Sequence, residues 1–223
     1  VLNDRTAMKV GTDGVLLGAW CPVEGASRVL DVGTGCGVIA LMIAQRNGEA
    51  IIEGIDIDEA AIDEAIFNFE QSPWSDRLTA SLQDFNGMGG EKRYDLIVSN
   101  PPYFTHGVLP TGDARVQARH TRSLTYGGLI DGASRLLTAT GSLSLITPTD
   151  AEAEVIEAST FAALPIRAMS RVIPVEGAAP KRTLWLLSRS ESPYRDETLT
   201  IAHSDGTFTD EYIALTGDFY LKM

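Results

Sequence analysis

The sequence predicts an α/β fold, a doubly wound, mostly parallel seven-stranded sheet that ends in an antiparallel strand pair. Three observations carry this expectation. A glycine-rich turn, Gly33-Thr34-Gly35-Cys36-Gly37, joins the apolar segment Arg28–Asp31 to a helical pattern over Val38–Ala44, the arrangement in which a parallel strand feeds its crossover helix. Acids stand at the ends of three successive strand-like segments, Asp31, Asp56 and Asp84, and in open α/β sheets such ends border the crevice that binds ligands. The last two strands, Ala168–Pro174 and Thr183–Ser188, are joined only by Val175–Arg182. A parallel crossover needs a dozen or more residues, so this pair is antiparallel.

In chain order, residues 7–20 read as a loop, with Thr12 or Asp13 as a helix N-cap, followed by an apolar segment. After the first strand and its glycine turn, Ile51–Ile57 gives the second strand. Asp56 then stands about 20 residues beyond the glycines, where an acid meets a ribose diol in nucleotide folds. Asp58 caps a helix whose apolar face is Ile62, Ala65, Ile66 and Phe69, and Ser72-Pro73 ends it. Leu78–Leu82 is the third strand, leading to Asp84, and Asp95–Ser99 is the fourth. Residues 104–123 show no period, and a loop of that length in a compact domain is usually functional or disordered. A helix over Gly128–Thr138, a fifth strand over Ser142–Thr147 and a helix over Ala151–Ala162 lead to the antiparallel pair. Thr198–Ile201 reads as a short additional strand, and Asp210–Leu221 as a closing helix.

The glycine turn makes a nucleotide-type site, because glycines let ligand and backbone approach closely while a helix N-terminus offers unpaired N–H groups. Its spacing is D-x-G-x-G-x-G rather than the dinucleotide G-x-G-x-x-G, which points to a smaller ligand. The fourth strand stops at Asn100-Pro101-Pro102-Tyr103, since two prolines cannot continue it. That turn offers two acceptors, the Asn100 side chain and the Pro101 carbonyl, beside an aromatic ring that can stack. The set suits a planar amine. Acceptors gripping its N–H groups draw the nitrogen towards tetrahedral geometry and free its lone pair to attack an electrophile.

Composition narrows the classes. Two cysteines, Cys21 and Cys36, and three scattered histidines make neither a disulfide framework nor a metal constellation. No apolar run approaches the roughly 18 residues that span a bilayer, so a soluble, cytoplasmic chain without a membrane or metal partner is expected. The net charge of −12 argues against nucleic acid, but the charge is uneven. Residues 103–125 carry three basic residues (Arg115, Arg119, Arg122) against one acidic, and residues 160–195 carry six against two.

The glycine loop, the acids after three strands and Asn-Pro-Pro-Tyr after the fourth together resemble the class I methyltransferases that use S-adenosylmethionine and act on amino nitrogens. The opening DRTAMKVGTDGVLLGAW, the run SPWSDRL and the ending EYIALTGDFYLKM are similar to bacterial methyltransferases that modify an adenine next to the anticodon of a valine tRNA. The resemblance implies a Rossmann-like methyltransferase domain over residues 1–223. It would divide into a helical lead-in (1–27), a cofactor-binding half (28–102) and a substrate-side half (103–223). It implies that Asp31, Gly33, Gly35 and Gly37 hold the methionine part of S-adenosylmethionine, with Lys9, Thr12 and Asp13 over that end. Asp56 would take the ribose hydroxyls and Asp84 the amine of the cofactor's adenine. Asn100, Pro101 and Tyr103 would grip a target base that is flipped out or already unpaired. Arg115, Arg119, Arg122, Lys181 and Arg182 would meet the phosphates of a tRNA.

Three other readings fit parts of the pattern. Glutamine methyltransferases of peptide release factors also use Asn-Pro-Pro-Tyr, and a side-chain amide is planar too. Guanine amino methyltransferases usually carry Phe where Tyr103 stands. A non-catalytic RNA-binding module could keep only the fold, although intact acids at three strand ends oppose it. Oligomeric state is not legible in the sequence.

Overall fold

The structure, a computed structural model, describes residues 1–4, 10–89, 93–102 and 124–220. Within them an eight-stranded sheet runs β3-β2-β1-β4-β5-β7-β6-β8. The strands are β1 (Arg28–Val32), β2 (Ile51–Asp56), β3 (Leu78–Leu82), β4 (Tyr94–Ser99), β5 (Leu137–Pro148), β6 (Ile166–Val175), β7 (Arg182–Ser188) and β8 (Arg195–Ala202). The first five are mutually parallel, and β7 runs antiparallel to both β5 and β6. The order reverses between β1 and β4, which is the switch point where doubly wound sheets open a ligand crevice.

The expected count of seven strands is corrected to eight. Residues Thr198–Ile201 extend backwards to Arg195, and the resulting β8 pairs in parallel with β6 over Ala168–Val175. The added residues Arg195, Asp196 and Glu197 are exposed and charged, so no apolar alternation announced them. Backbone pairing at the sheet edge makes the strand.

Side chains alternate across a strand, and the two faces bury separate cores. On one face Val29, Ile52, Leu96, Val98 and Leu184 pack beneath α1 (Thr12–Trp20), α2 (Val38–Arg46), α3 (Glu59–Glu70) and α6 (Asp210–Thr216). On the other, Leu30, Val32, Ile97, Leu145 and Trp185 pack beneath α4 (Tyr126–Leu136) and α5 (Glu152–Phe161). Trp185 is fully buried, and its indole N–H donates to Thr147 Oγ1 at 3.0 Å, which supplies the partner a buried indole requires. The helix starts follow the sequence: Asp58 accepts from Ala60 N–H, Thr125 from Gly128 N–H and Thr209 from Tyr212 N–H. At α1 the expectation is corrected. Gly11 is the extended N-cap and uses no side chain, so Thr12 and Asp13 are the first helical residues. Asp13 still favours the start, because an acid in the first turn faces the positive end of the helix dipole. Among the described residues no helix is long and apolar enough to cross a membrane.

Candidate active site

The registers of the parallel strands bring their carboxyl ends together. Val32 pairs with both Ile55 and Ser99, and Asp56 pairs with Leu82. The Ser99 hydroxyl, fully buried, donates to the Val32 carbonyl at 2.8 Å. Gly33 and Asn100, the next residues of each strand, therefore leave neighbouring strands side by side, and the glycine loop adjoins the Asn-Pro-Pro turn.

The loop is held by β2. The N–H groups of Gly33 and Thr34 both donate to the Ile55 carbonyl at 2.9 Å. Gly33, Gly35 and Gly37 all have positive φ, +71°, +56° and +81°, a region that glycine enters without cost. The three differ in what surrounds them. A Cβ built on Gly33 or Gly35 would meet nothing within 4 Å, whereas one on Gly37 would strike the Phe69 ring of α3. Gly33 and Gly35 therefore leave open space beside the backbone, and Gly37 is glycine because the packing demands it. A glycine that the sequence reading passed over has a similar role: a Cβ on Gly54 of β2 would lie 2.8 Å from Thr34 Oγ1. Its absence lets Thr34 tuck in and donate to Asp31 Oδ2 at 2.7 Å.

Asp31 is fully buried, and its Oδ1 has no hydrogen-bond partner among the described residues. Burial pushes its carboxyl up to about 7, against the opposing pull of the Thr34 hydroxyl and the Ala40 N–H, because desolvation penalises the charged form. Asp56 is half-buried, with Oδ2 accepting from Gly35 N–H and Oδ1 from Asp58 N–H, each at 3.0 Å. Asp84 caps a single 3₁₀ turn, Phe85–Gly87, with Oδ1 accepting from the Asn86 backbone and side chain at 2.9 and 3.1 Å. Ile57, read as the last residue of the second strand, instead lies past its end and is 61 % exposed beside Asp56. A strand pattern cannot reveal that, since an isoleucine at the end of an apolar run looks like core.

At the turn, Asn100 is half-buried, Pro101 buried and Pro102 exposed. Asn100 Oδ1 is itself buried with no partner among the described residues. An unpaired buried amide oxygen is costly unless something else completes it.

The first turn of α1 abuts the start of α2, since a Cβ on Gly14 would lie 3.6 Å from Val38 Cγ1. Thr12 is exposed, and Asp13 Oδ2 pairs with Arg182 Nε at 2.9 Å. Arg182 begins β7 at the carboxyl edge of the sheet, opposite Pro148, and Lys181 beside it is exposed. The other basic residues of that stretch stand elsewhere. Arg171 is bound by Glu152 at 2.8 Å and Asp196 at 3.1 Å. Arg167, Arg189 and Arg195 cluster where β6 and β8 begin and β7 ends, at the opposite edge. Lys9, Tyr103, Arg115, Arg119 and Arg122 lie outside the described residues.

The model of the methyltransferase small domain matches residues 10–169, which span the glycine loop, the three acids and the Asn-Pro-Pro turn. The chain belongs to that family. Among curated proteins, a tRNA1(Val) (adenine(37)-N6)-methyltransferase of Tolumonas auensis is 41% identical over 99% of this chain and 93% of that protein. One of Phocaeicola vulgatus is 44% identical over 100% of this chain and 95% of that protein. A predicted O-methyltransferase from Agrobacterium tumefaciens has a similar fold, with a TM-score of 0.73 at 17% identity, covering 92% of this chain and 96% of the other. The class I methyltransferase fold expected from the sequence is therefore the fold observed.

Proposed function

We propose that this methyltransferase transfers a methyl group from S-adenosylmethionine to the exocyclic N6 of the adenine at position 37 of a valine tRNA, in the cytoplasm. The single observation that carries the chemistry is the buried Asn100 Oδ1, without a partner among the described residues, one residue beyond the Ser99–Val32 contact and beside the glycine loop. The choice of tRNA rests on the full-length likeness to the two curated relatives.

The residues fit the cofactor. Gly33 and Gly35 leave room beside the loop, and the buried Asp31 Oδ1, without a partner among the described residues, suits the ammonium of an amino acid. The Asp56 carboxylate has lone pairs beyond its two N–H bonds for a ribose diol. Ile57, exposed just past the end of β2, would offer an apolar face to a planar base. Asp84 would accept from that base's amine. When bound, S-adenosylmethionine supplies an electrophilic methyl group on sulfur. Asn100 Oδ1 and the Pro101 carbonyl accept the two N–H groups of the target amine and draw its lone pair out of conjugation, and Tyr103 stacks on the ring. Positive charge developing on the amine as it takes up the methyl group would be stabilised most by those two acceptors. The amine proton then leaves to water, so positioning does most of the catalysis and no dedicated base is required.

The test is methyl transfer to unmodified valine tRNA, followed by mass spectrometry of its nucleosides. N6-methyladenosine should appear, and should vanish from a transcript carrying guanosine at position 37. Methylglutamine in a release factor, with no labelled RNA, would replace this reading with the amide one. No transfer to either substrate, despite cofactor binding, would leave the non-catalytic module.

A further inference from the structure

Arg182, in the substrate-side half, reaches across to α1. Its Nε meets Asp13 Oδ2 at 2.9 Å, with the two side chains only 30% and 24% exposed. Its Nη1 turns back onto the Lys181 carbonyl at 3.0 Å, which fixes the fork at the head of β7. Its charge also acts on the Tyr126 hydroxyl at the start of α4, opposing the upward push that burial and Glu154 give that group. Arg182 therefore joins the first turn of α1 to the head of β7. The first turn of α1 is fixed on one side by Val38 and Ile39, which immediately follow the glycine loop. On the sheet side it is fixed by Arg182.

A guanidinium engaged in this way is poorly placed to serve as a free phosphate ligand. We infer that Arg182 is a positioning residue for the cofactor site: through Asp13 it holds the first turn of α1 against the sheet, beside the glycine loop. The inference rests on the cofactor placement proposed above and assigns Arg182 to the cofactor side of the reaction, leaving exposed Lys181 to meet RNA. A partly buried, charge-assisted contact is strong enough to set the angle of a short helix. The nine-residue α1 has little stability of its own without such packing.

The experiment is calorimetric titration of the full chain with S-adenosylhomocysteine, without RNA and well below the melting temperature. Wild-type binding comes first, since its absence would defeat the cofactor reading itself and not the role of Arg182. Given that binding, Asp13→Asn and Arg182→Met should each weaken it roughly tenfold, and the double variant should lose little more, as expected for one shared interaction. The exchange Asp13→Arg with Arg182→Asp should recover most of the loss. In steady-state assays KM for the cofactor should rise while kcat at saturating cofactor holds, a split that a general loss of stability would not produce. Should Arg182→Met fold poorly, Arg182→Gln, which removes the charge and keeps a polar side chain of similar reach, takes its place. Asp13 is itself expected over the methionine end, so its substitution alone does not separate contact from positioning. Cofactor affinity equal to wild type in Asp13→Asn would overturn the inference, as would an exchange variant that recovers nothing.

Discussion

The Gly35 N–H donates to Asp56 Oδ2 at 3.0 Å, so the acid at the end of β2 is tied to the glycine loop at the end of β1. One carboxylate thereby serves two purposes. It orders the left-handed loop, and it keeps lone pairs for a ribose diol. Asp56→Ala should cost about 1 to 3 kcal/mol of cofactor binding, a loss of roughly tenfold to a hundredfold, read by calorimetry with S-adenosylhomocysteine. Unchanged affinity would remove Asp56 from the ribose site.

Asn100 leads to a different expectation. Its Oδ1 is buried without a partner among the described residues, so its removal relieves a desolvated group instead of breaking a bond. Asn100→Ala should leave the melting temperature unchanged or slightly raised and cofactor affinity intact, while turnover falls by about a hundredfold or more. A variant that loses stability in step with activity would show that the side chain is structural.

These two residues illustrate what the sequence makes legible. Asp31, Asp56, Asp84 and Asn100 each end an apolar run, and a run bounded by a turn reveals both its strand and the residue beyond it. The antiparallel pairing of β6 and β7 follows from the short connection between them. Other features have no one-dimensional signature. Charged Arg195-Asp196-Glu197 becomes strand only because β6 presents a free edge. Gly54 looks like any strand glycine until Thr34 is packed against it. The Asp13–Arg182 pair joins residues 169 apart. The basic stretch over residues 160–195 looks like one island, but antiparallel β7 sends its arginines to opposite edges of the sheet.

Asp31 should make stability depend on pH in a particular direction. Its carboxyl is raised from 3.8 to about 7 in the folded chain, so between these values the native state holds a proton that the unfolded state has released. Stability from this group is complete below about pH 4 and is lost as pH rises through about 7, by roughly 4 kcal/mol in all. Asp31→Asn should remove that slope, so the difference in unfolding free energy between variant and wild type, measured by urea titration, should move in favour of the variant from pH 4 to pH 8. A bound ammonium would favour the carboxylate instead. Cofactor affinity of the wild type should therefore strengthen as pH rises towards 7, and the variant should bind weakly at every pH. A pH-independent difference in stability would mean that Asp31 is already ionised in the folded chain.

The two edges of the sheet make opposite predictions for RNA. Lys181 is exposed beside the crevice, while Arg167, Arg189 and Arg195 lie at the far edge, a β7 length of seven residues away, or about 20 Å at the rise of a strand. An adenine held at Asn100 brings its own flanking phosphates near the carboxyl edge first. Each phosphate contact removed flattens the dependence of log affinity on log salt by somewhat under one unit. Lys181→Ala should therefore lower the slope by about one contact, without altering cofactor affinity. Changing Arg115, Arg119 and Arg122 together should lower it further, because their spacing of three to four residues would align them on one face of a helical turn next in sequence to the Asn-Pro-Pro-Tyr turn. Replacing Arg167, Arg189 and Arg195 with Ala should leave the slope unchanged, since their guanidinium groups engage carbonyls of the sheet and α4 or a neighbouring acid. If the far-edge triple variant loses RNA affinity while Lys181→Ala does not, the tRNA docks across the amino edge of the sheet, and the reacting adenine must reach Asn100 from the other side.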